Sequence, residues 1–205
     1  MNIPSRLIEE AVEQVASLPG IGRKTALRLV LDLVKRKPEE VQRFANALTA
    51  MREHIRLCKE CYNLSDNELC SVCSSSFRDN SVICVVGDIR DVMAIESTAQ
   101  YQGKYHVLGG VISPMDGIGP SDLTIDALVQ RVSSGQVQEV ILAISATLEG
   151  ETTAFYLYKK LMPLGVKITS ISRGVAIGGE LEYTDEVTLG RSIVLRTPYE
   201  SSLKR

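Results

Sequence analysis

Residues 58–73 read CKECYNLSDNELCSVC, and the rest of the sequence is organised around this stretch. It contains four cysteines in the pattern C-x2-C-x8-C-x2-C, namely Cys58, Cys61, Cys70 and Cys73. Each close pair can turn two thiolates toward one ion, and two pairs complete the tetrahedral sulfur cage that Zn²⁺ prefers. Two disulfides or four unrelated buried thiols are the alternatives, but nothing indicates an oxidising compartment. We therefore predict one structural zinc ion per chain.

The composition is that of an ordinary globular chain of 205 residues with a net charge of -2. This length allows one large domain, or two small domains and a module. The first residues, MNIPSRLIEE, lack the cationic stretch and apolar core of a signal peptide. No apolar run approaches the ~20 residues that span a bilayer. We expect a cytoplasmic protein without a membrane partner and with reduced thiols, in which the fifth cysteine, Cys84, is a buried apolar residue.

The charge is distributed unevenly along the chain. Residues 1–57 carry ten Lys and Arg against seven Asp and Glu, whereas residues 82–205 carry eleven against fourteen. A mildly basic first part indicates that a polyanion would be bound there. Solvated helix faces explain so small an excess almost as well.

Residues 5–57 have the apolar periodicity of three helices. The first begins at Pro4 or Ser5 and ends near Leu18, Pro38 ends the second, and the third covers residues 39–56. The expected apolar positions are Leu7, Ile8, Ala11, Val12 and Val15, then Ala26, Leu27, Leu29, Val30, Leu33 and Val34, then Val41, Phe44, Ala45, Leu48, Met51 and Ile55.

The turn between the first two helices, LPGIGRKTA at residues 18–26, has the features of an anion-binding site. Gly20 and Gly22 expose amide groups at the start of the next helix, where the helix dipole favours an anion. Arg23, Lys24 and Arg28 add cationic side chains on the same side. The turn resembles the helix-hairpin-helix motif of DNA-binding proteins, and it predicts a phosphate clamp that reads no bases. An ordinary glycine corner with basic surface residues is the alternative.

A polar link at residues 74–80 leads into alternating strands and helices, which imply a mostly parallel sheet covered on both faces. The histidine at position 106 lies within a strand and is interpreted as structural, and no partner can be argued for His54. Strands are expected at residues 81–87, 105–109, 139–145, 166–172 and 192–196, and helices at residues 88–101, 124–133 and 149–164, with Thr124 as a cap and Val92, Met93, Ile95 and Ala99 facing inward.

The order of hairpin turn, four-cysteine module and parallel α/β domain resembles the RecR family of bacterial recombination mediators, over essentially the whole chain. In that family the α/β unit is a Toprim domain, so the resemblance implies an α/β multi-module fold. Further matching runs are DVMAIE at 91–96, YHVLGG at 105–110, ISPMDGIGP at 112–120 and GGELEYTDEVTL at 178–189. The expected division is a helix-hairpin-helix region at 1–57, a zinc module and link at 58–80, a Toprim domain at 81–196 and a tail at 197–205.

The resemblance to Toprim domains also predicts that this one is not an enzyme. A catalytic Toprim site resembles a glutamate after the first strand and a later D-x-D-x-x-G run, whose carboxylates hold Mg²⁺. Here Gly87 takes the first position and SATLEG, at residues 145–150, takes the place of the run. Asp88, Glu149 and Glu151 remain nearby in shifted places. The alternative is a Mg²⁺-dependent nuclease or topoisomerase. Family members often keep an acidic residue in place of Gly87, so any metal or partner role of that position is in doubt.

The resemblance implies a role in recombinational DNA repair, in which the protein helps to load RecA together with RecO and RecF. It further implies a homodimer or a ring-shaped homotetramer that associates with the nucleoid during repair. Glu149 matches an acidic loop that is implicated in docking RecO, and a solvated loop is the alternative reading. A scaffold that contacts only proteins is a second alternative for the whole chain. In this interpretation the zinc fixes the angle between the hairpin region and the Toprim domain.

Overall fold

The computed structural model describes Ile3 and residues 5–200. The predicted helix start at Pro4 and the last part of the predicted tail, residues 201–205, lie outside the described residues. The chain divides into two compact units, Met1–Ile55 and Arg56–Arg205. In the described part of the chain, no helix is both long and apolar enough to cross a bilayer.

The first unit consists of three helices, α1 (Arg6–Ala16), α2 (Arg23–Lys35) and α3 (Pro38–His54). Helices α1 and α2 pack on each other through Val12, Ala26 and Val30, all of which are buried. Pro38 lies in the first turn of α3, where its missing amide is not needed and its fixed φ suits a helix.

The predicted apolar faces of these helices are wider than the stripe that is buried. Leu7 is 78% exposed, and α3 has no buried residue. Two helices packed on each other cover only one stripe of each, so the remaining apolar side chains of the unit stay uncovered. Phe44, Leu48 and Met51 recur about one turn apart along α3, and each is at least half exposed.

The second unit begins with the cysteine module. Strands β1 (Arg56–Leu57) and β2 (Leu64–Ser65) pair antiparallel, and the short helix α4 (Ser71–Ser74) follows them. The sequence predicts a loop at residues 62–69, but β2 lies within it because the returning chain runs beside β1. The module therefore contains a small two-stranded ribbon.

A four-stranded parallel sheet with the strand order β4-β3-β5-β6 forms the body of this unit. The predicted α/β multi-module fold is thereby confirmed. The strands are β3 (Asp79–Val86), β4 (Gly103–Val107), β5 (Glu139–Ala143) and β6 (Lys167–Ser170), and the helices are α5 (Ile89–Ser97), α6 (Ile125–Ser133), α7 (Leu148–Leu161) and α8 (Glu186–Val194).

Successive side chains of β3 point into two different cores. Ile83 and Val85 pack with residues of α6 and α7, whereas Cys84 and Val86 pack with the cysteine module and with Val92 of α5. Both faces of the strand are covered, as its continuous apolar run predicts. The prediction that Cys84 is buried is confirmed.

The predictions that Met93 and Ala99 face inward are wrong, and Ala99 is exposed because it lies beyond the end of α5. Met93 does not face the core but is 64% exposed, because the adjacent Val92 already occupies the buried position on α5. Thr124 is the N-cap residue of α6, as predicted, but its hydroxyl does not bond the first amides of the helix, since it donates instead to the carbonyl of Val107 at 2.8 Å.

Residues 192–194 are helical where the sequence predicts a strand at residues 192–196. Helix α8 covers most of that range, and Asp185 caps it by accepting a hydrogen bond of 2.9 Å from the amide of Thr188. A capped start directs the following residues into a helix, which explains why the short apolar run does not form a strand. No residue of α8 is buried within the described chain.

Candidate metal centre and nucleic-acid interface

The four cysteines of residues 58–73 come together in the fold. Their Sγ atoms all lie within 4.8 Å of one another, and all four residues are buried free thiols. Tetrahedral zinc with Zn–S bonds of about 2.3 Å places its sulfur ligands about 3.8 Å apart. The Sγ atoms of Cys61 and Cys70 are separated by 3.5 Å. The donor set therefore fits one zinc ion, held by Cys58, Cys61, Cys70 and Cys73.

Both C-x2-C pairs are shaped by the same backbone turn. The amide of Tyr62 donates to the carbonyl of Cys58 at 3.0 Å, and the amide of Ser74 donates to the carbonyl of Cys70 at 2.9 Å. Each turn directs its two sulfur atoms to one side, as the spacing predicts. The centre is formed by two equivalent turns that face each other.

The thiols differ in how readily they ionise before a metal binds. Burial opposes ionisation of Cys58, but hydrogen bonds from the backbone of Cys70, Cys61 and Glu60 lower its pKa to about 7. Burial raises the pKa of Cys70, and a hydrogen bond with Cys61 together with burial raises the pKa of Cys73. A bound Zn²⁺ supplies the positive charge that holds all four groups as thiolates.

The cysteine module and α6 together cover part of the outer edge of β4, which is an end strand of the sheet. The amide of Val107 donates to the carbonyl of Cys61 at 2.8 Å, and the guanidinium of Arg131 donates to the carbonyl of Tyr105 at 2.7 Å. An end strand otherwise presents unpaired amides and carbonyls to solvent and to other chains. The metal centre is therefore built into the Toprim-type unit.

In the first unit, only one of the two glycines in the turn between α1 and α2 has a backbone conformation that requires glycine. Gly20 has a φ of +80°, in the left-handed region that favours glycine. Gly22 has an ordinary φ of -77°, and a Cβ atom placed there would meet nothing within 4 Å. The shape of the turn thus requires glycine at position 20, whereas at position 22 the missing side chain leaves the start of α2 open.

The start of α2 offers unpaired amide groups. The first hydrogen bond of the helix runs from the amide of Ala26 to the carbonyl of Gly22 at 3.0 Å. The amides of Arg23, Lys24 and Thr25 therefore have no acceptor within the helix. The first turn contains no acidic residue, so nothing in it opposes the positive end of the helix dipole.

The three predicted cationic side chains of this turn differ in their freedom. Nη2 of Arg23 lies 3.1 Å from the carboxylate of Glu9 on α1. Lys24 and Arg28 are exposed, and neither has a hydrogen bond or an ion pair with any residue that the structure describes. Two cations are thus fully available to an anion, and the third is partly neutralised.

At the carboxyl ends of the sheet strands, the acidic side chains are engaged with their neighbours. Asp88 pairs with Arg90 at 3.0 Å, and Asp91 accepts a hydrogen bond of 2.9 Å from the amide of Asp88. Glu151 forms an ion pair with Arg173. Within residues 5–200, the four cysteines are the only group of three or more His, Cys, Asp or Glu side chains that is placed to hold a metal ion.

The loop that replaces the acidic Toprim run is tightly packed at its end. A Cβ atom at Gly150 would lie 2.0 Å from the carbonyl oxygen of Ser145, so only glycine fits where α7 begins against the end of β5. Glu149 precedes it, is half-buried, and has no side-chain partner among the described residues. The neighbouring Leu148 is 81% exposed. A free carboxylate thus lies beside an exposed apolar side chain.

A hairpin turn, a four-cysteine metal module and a parallel Toprim-type sheet in one chain define a zinc-containing, multi-module α/β protein. Family profiles match each segment of the chain with specific descriptions. They are the helix-hairpin-helix of RecR at residues 8–52, the four-cysteine zinc finger domain of RecR at 55–75, the Toprim domain at 81–172 and the C-terminal segment of RecR at 174–197. The chain belongs to the RecR family, and zinc is its cofactor.

Relatives named "Recombination protein RecR" match the chain along its length. The protein of Porphyromonas gingivalis is 60% identical over 200 residues, which are 98% of this chain and 97% of the relative. The protein of Bacteroides thetaiotaomicron is 56% identical over 200 residues, covering 98% of both chains. The protein of Flavobacterium johnsoniae is 53% identical over 204 residues, covering 100% of this chain and 99% of the relative. The predicted resemblance is confirmed.

Some residues of these sites are not signalled by the sequence. Glu9 partly neutralises Arg23 from 14 positions away, a spacing that no local pattern marks. Lys104 and Arg131 reach the cysteine module from β4 and α6 through hydrogen bonds to backbone carbonyls. A lysine inside β4, a short strand of the sheet, is the one sequence signal that would have drawn attention to position 104.

Proposed function

We propose that this protein is a non-enzymatic mediator of recombinational repair that binds DNA through its phosphates. The name shared by its relatives and the family of its segments support a role in recombination. The proposed DNA contacts are Gly20, Gly22, Arg23, Lys24 and Arg28.

The observation that carries this proposal is the free positive charge beside the open helix start. Lys24 and Arg28 lie one turn apart on α2 and have no partner among the described residues. The unpaired amides of the first turn of α2 lie at the positive end of the helix dipole, which favours an anion in the same region. A phosphate group satisfies the amides and both cations at once, and it carries no base information. Arg23 is expected to contribute less, because Glu9 already holds it.

The state of the acidic side chains supports the non-enzymatic part of the proposal. Mg²⁺ catalysis of phosphoryl transfer needs converging carboxylates with free oxygens. Asp88, Asp91 and Glu151 are each occupied by a neighbouring cation or amide. Glu149 is the acidic side chain of this loop without such a partner, and we propose it as the contact for a protein such as RecO.

Exposed apolar surface supports assembly as a homodimer or a homotetrameric ring. Phe44, Leu48 and Met51 form an uncovered stripe on α3, and α8 has no buried residue. Surfaces of this kind are typical of interfaces between subunits. In a ring, several modest phosphate contacts act together, which compensates for a clamp of only two or three cations per subunit. Loading of RecA with RecO and RecF, at DNA in the cytoplasm, completes the proposal.

The decisive experiment compares two charge-matched double variants. Lys24→Ala with Arg28→Ala should weaken DNA binding by about tenfold or more and lower the slope of log affinity against log salt by about 2. Lys35→Ala with Lys37→Ala removes the same charge from the other end of α2 and should bind nearly as the wild type does. Fluorescence anisotropy over a salt series measures both quantities, and size-exclusion chromatography with light scattering verifies that the oligomer is kept.

The outcome also separates the alternatives. Equal loss in the two double variants would mean that only net charge matters and that the hairpin assignment is wrong. Salt-independent or absent DNA binding by the wild type would favour the protein-only scaffold. Cleavage of supercoiled DNA that requires Mg²⁺ and Glu149 would favour the nuclease.

A further inference from the structure

Lys104 is a buried lysine that lacks an acidic partner. It lies on β4, and only 4% of its surface is exposed. Its ammonium nitrogen donates a hydrogen bond of 2.6 Å to the backbone carbonyl of Cys73. Within the described chain this is the one hydrogen bond of the ammonium, and no carboxylate forms an ion pair with it.

A buried ammonium group needs negative charge nearby. Removing it from water is costly, and one neutral carbonyl does not repay that cost. The lysines and arginines of the same region show the usual solution. Lys59 is exposed and pairs with Glu68 at 2.7 Å, and Arg131 lies 4.0 Å from the carboxylate of Glu60. Lys104 differs from both because, among the described residues, no acidic side chain forms an ion pair with it.

The metal centre supplies the missing charge. Zn²⁺ with four thiolates carries a net charge of about -2. Cys73, whose carbonyl accepts the hydrogen bond from Lys104, also provides one of the four sulfur atoms. The buried cation is therefore bonded to the backbone of a metal ligand. Groups around a metal that are not ligands themselves commonly tune its affinity in this way.

We propose that Lys104 is the counter-cation of the zinc–tetrathiolate centre. It does not touch the metal and acts through Cys73 as a positioning residue. Its charge offsets the excess negative charge of the loaded centre, and its hydrogen bond fixes the second C-x2-C turn to the end strand of the sheet. Zinc affinity and docking of the cysteine module on β4 are thereby coupled. The proposal does not depend on DNA binding.

The test measures zinc affinity of the full-length protein by competition with a chromogenic chelator. Lys104→Met removes the charge and the donor, Lys104→Gln removes the charge but keeps an N–H donor, and Lys104→Arg keeps the charge. We expect zinc affinity to fall by about 10- to 100-fold in the Met and Gln variants and to be largely retained in the Arg variant. Lys59→Gln, in the same module, is the matched control and should change the affinity less than threefold.

Two further readouts distinguish charge from packing. Co²⁺ substituted for zinc should give the same tetrathiolate absorption spectrum in every variant, because no ligand is changed. A variant that is unfolded at micromolar zinc should be recovered by a hundredfold excess of zinc, since its defect is metal affinity. Zinc affinity of Lys104→Gln equal to that of the wild type would overturn the proposal. So would a variant that excess zinc does not recover, because its defect would then be packing.

Discussion

The amide of Val107 donates its hydrogen bond to the carbonyl of Cys61, so a zinc-ligating residue supplies an acceptor on the side of β4 where a further strand would pair. The adjacent amide, that of Leu108, donates in the opposite direction, to the carbonyl of Val86 inside the sheet at 2.9 Å. The amides of these two neighbouring residues are thus protected from hydrogen exchange by acceptors in two different parts of the protein. One depends on the metal module and the other on the sheet.

Removal of zinc should therefore expose these two amides unequally. When a chelator loosens the module, the amide of Val107 loses its acceptor, and its hydrogen exchange should accelerate by about tenfold or more. The amide of Leu108 should change much less. Residue-resolved hydrogen exchange with and without chelator measures both rates, and equal acceleration of the two would show that the module does not hold the edge by itself.

The two glycines of the hairpin turn should respond differently to alanine. Gly20→Ala places a Cβ atom at a φ of +80° and should cost about 1 kcal/mol of stability. Gly22→Ala meets no atom within 4 Å at an ordinary φ and should leave stability nearly unchanged. If the start of α2 binds phosphate, Gly22→Ala should nevertheless weaken DNA binding. Thermal unfolding and anisotropy give the two results, and a reversed order of stability would contradict the turn geometry.

The buried His106 should make the protein less stable in mild acid. Burial, helped by the charge of Arg131, lowers its pKa from 6.5 to about 4. Between these two values the unfolded chain takes up a proton that the folded chain refuses, so stability falls as the pH falls through this window, by about 1.4 kcal/mol per pH unit at most. Well above pH 6.5 the imidazole is neutral in both states and adds no slope.

His106→Phe should therefore flatten the dependence of stability on pH between 6.5 and 4. The exposed His54 provides the control, and His54→Asn should keep the wild-type slope. Denaturant unfolding of zinc-loaded protein at a series of pH values measures the stability of each variant. Zinc loss affects the variant and the wild type alike, so it cancels when the variant is compared with the wild type at the same pH. An unchanged slope in His106→Phe would show that the imidazole does not titrate as its burial implies.

A network of three side chains should anchor the segment between the cysteine module and the sheet. Arg78 donates to Glu96 at 2.9 Å, and the hydroxyl of Tyr105 donates to the same carboxylate at 2.7 Å. Arg78 and, less strongly, Tyr105 lower the pKa of Glu96. Glu96→Gln leaves the partly buried guanidinium of Arg78 without its counter-charge and should cost about 2 kcal/mol.

The exposed pair of Lys59 and Glu68 provides the comparison for that variant. Both side chains are about two-thirds exposed, so Glu68→Gln should not change the unfolding midpoint measurably. Urea unfolding of the two variants under identical conditions tests the difference. If both variants changed the free energy of unfolding by the same small amount, the Arg78 network would contribute no more than an exposed ion pair, and the prediction would be wrong.

The features that the sequence predicts well are those in which a local pattern has one structural solution. The spacing of Cys58 and its partners leads directly to the metal centre, and the continuous apolar run around Cys84 leads to a strand buried on both faces. The left-handed backbone at Gly20 is likewise implied by the residue type. Each of these depends on neighbours in the sequence.

The features that were missed depend on contacts between distant parts of the chain. Met93 and Val92 are equally apolar, and only the position of the sheet decides which of them is buried. Residues 192–196 have the composition of a strand, but the cap at Asp185 starts a helix before them. Arg78 lies in a stretch that reads as a polar link, yet it is fixed by Glu96, 18 positions away. The roles of Lys104 and Glu9 are of the same kind.

The closure of β4 by the cysteine module has a consequence for the order in which the protein is made. Residues 58–73 leave the ribosome before residues 103–107, so the cover exists before the strand that it protects. If the module has taken up zinc by then, part of the edge of β4 is covered as soon as the strand emerges, which limits its pairing with other nascent chains. In a cell starved of zinc the same strand emerges uncovered, and misassembly during synthesis would precede any loss of function in the finished protein.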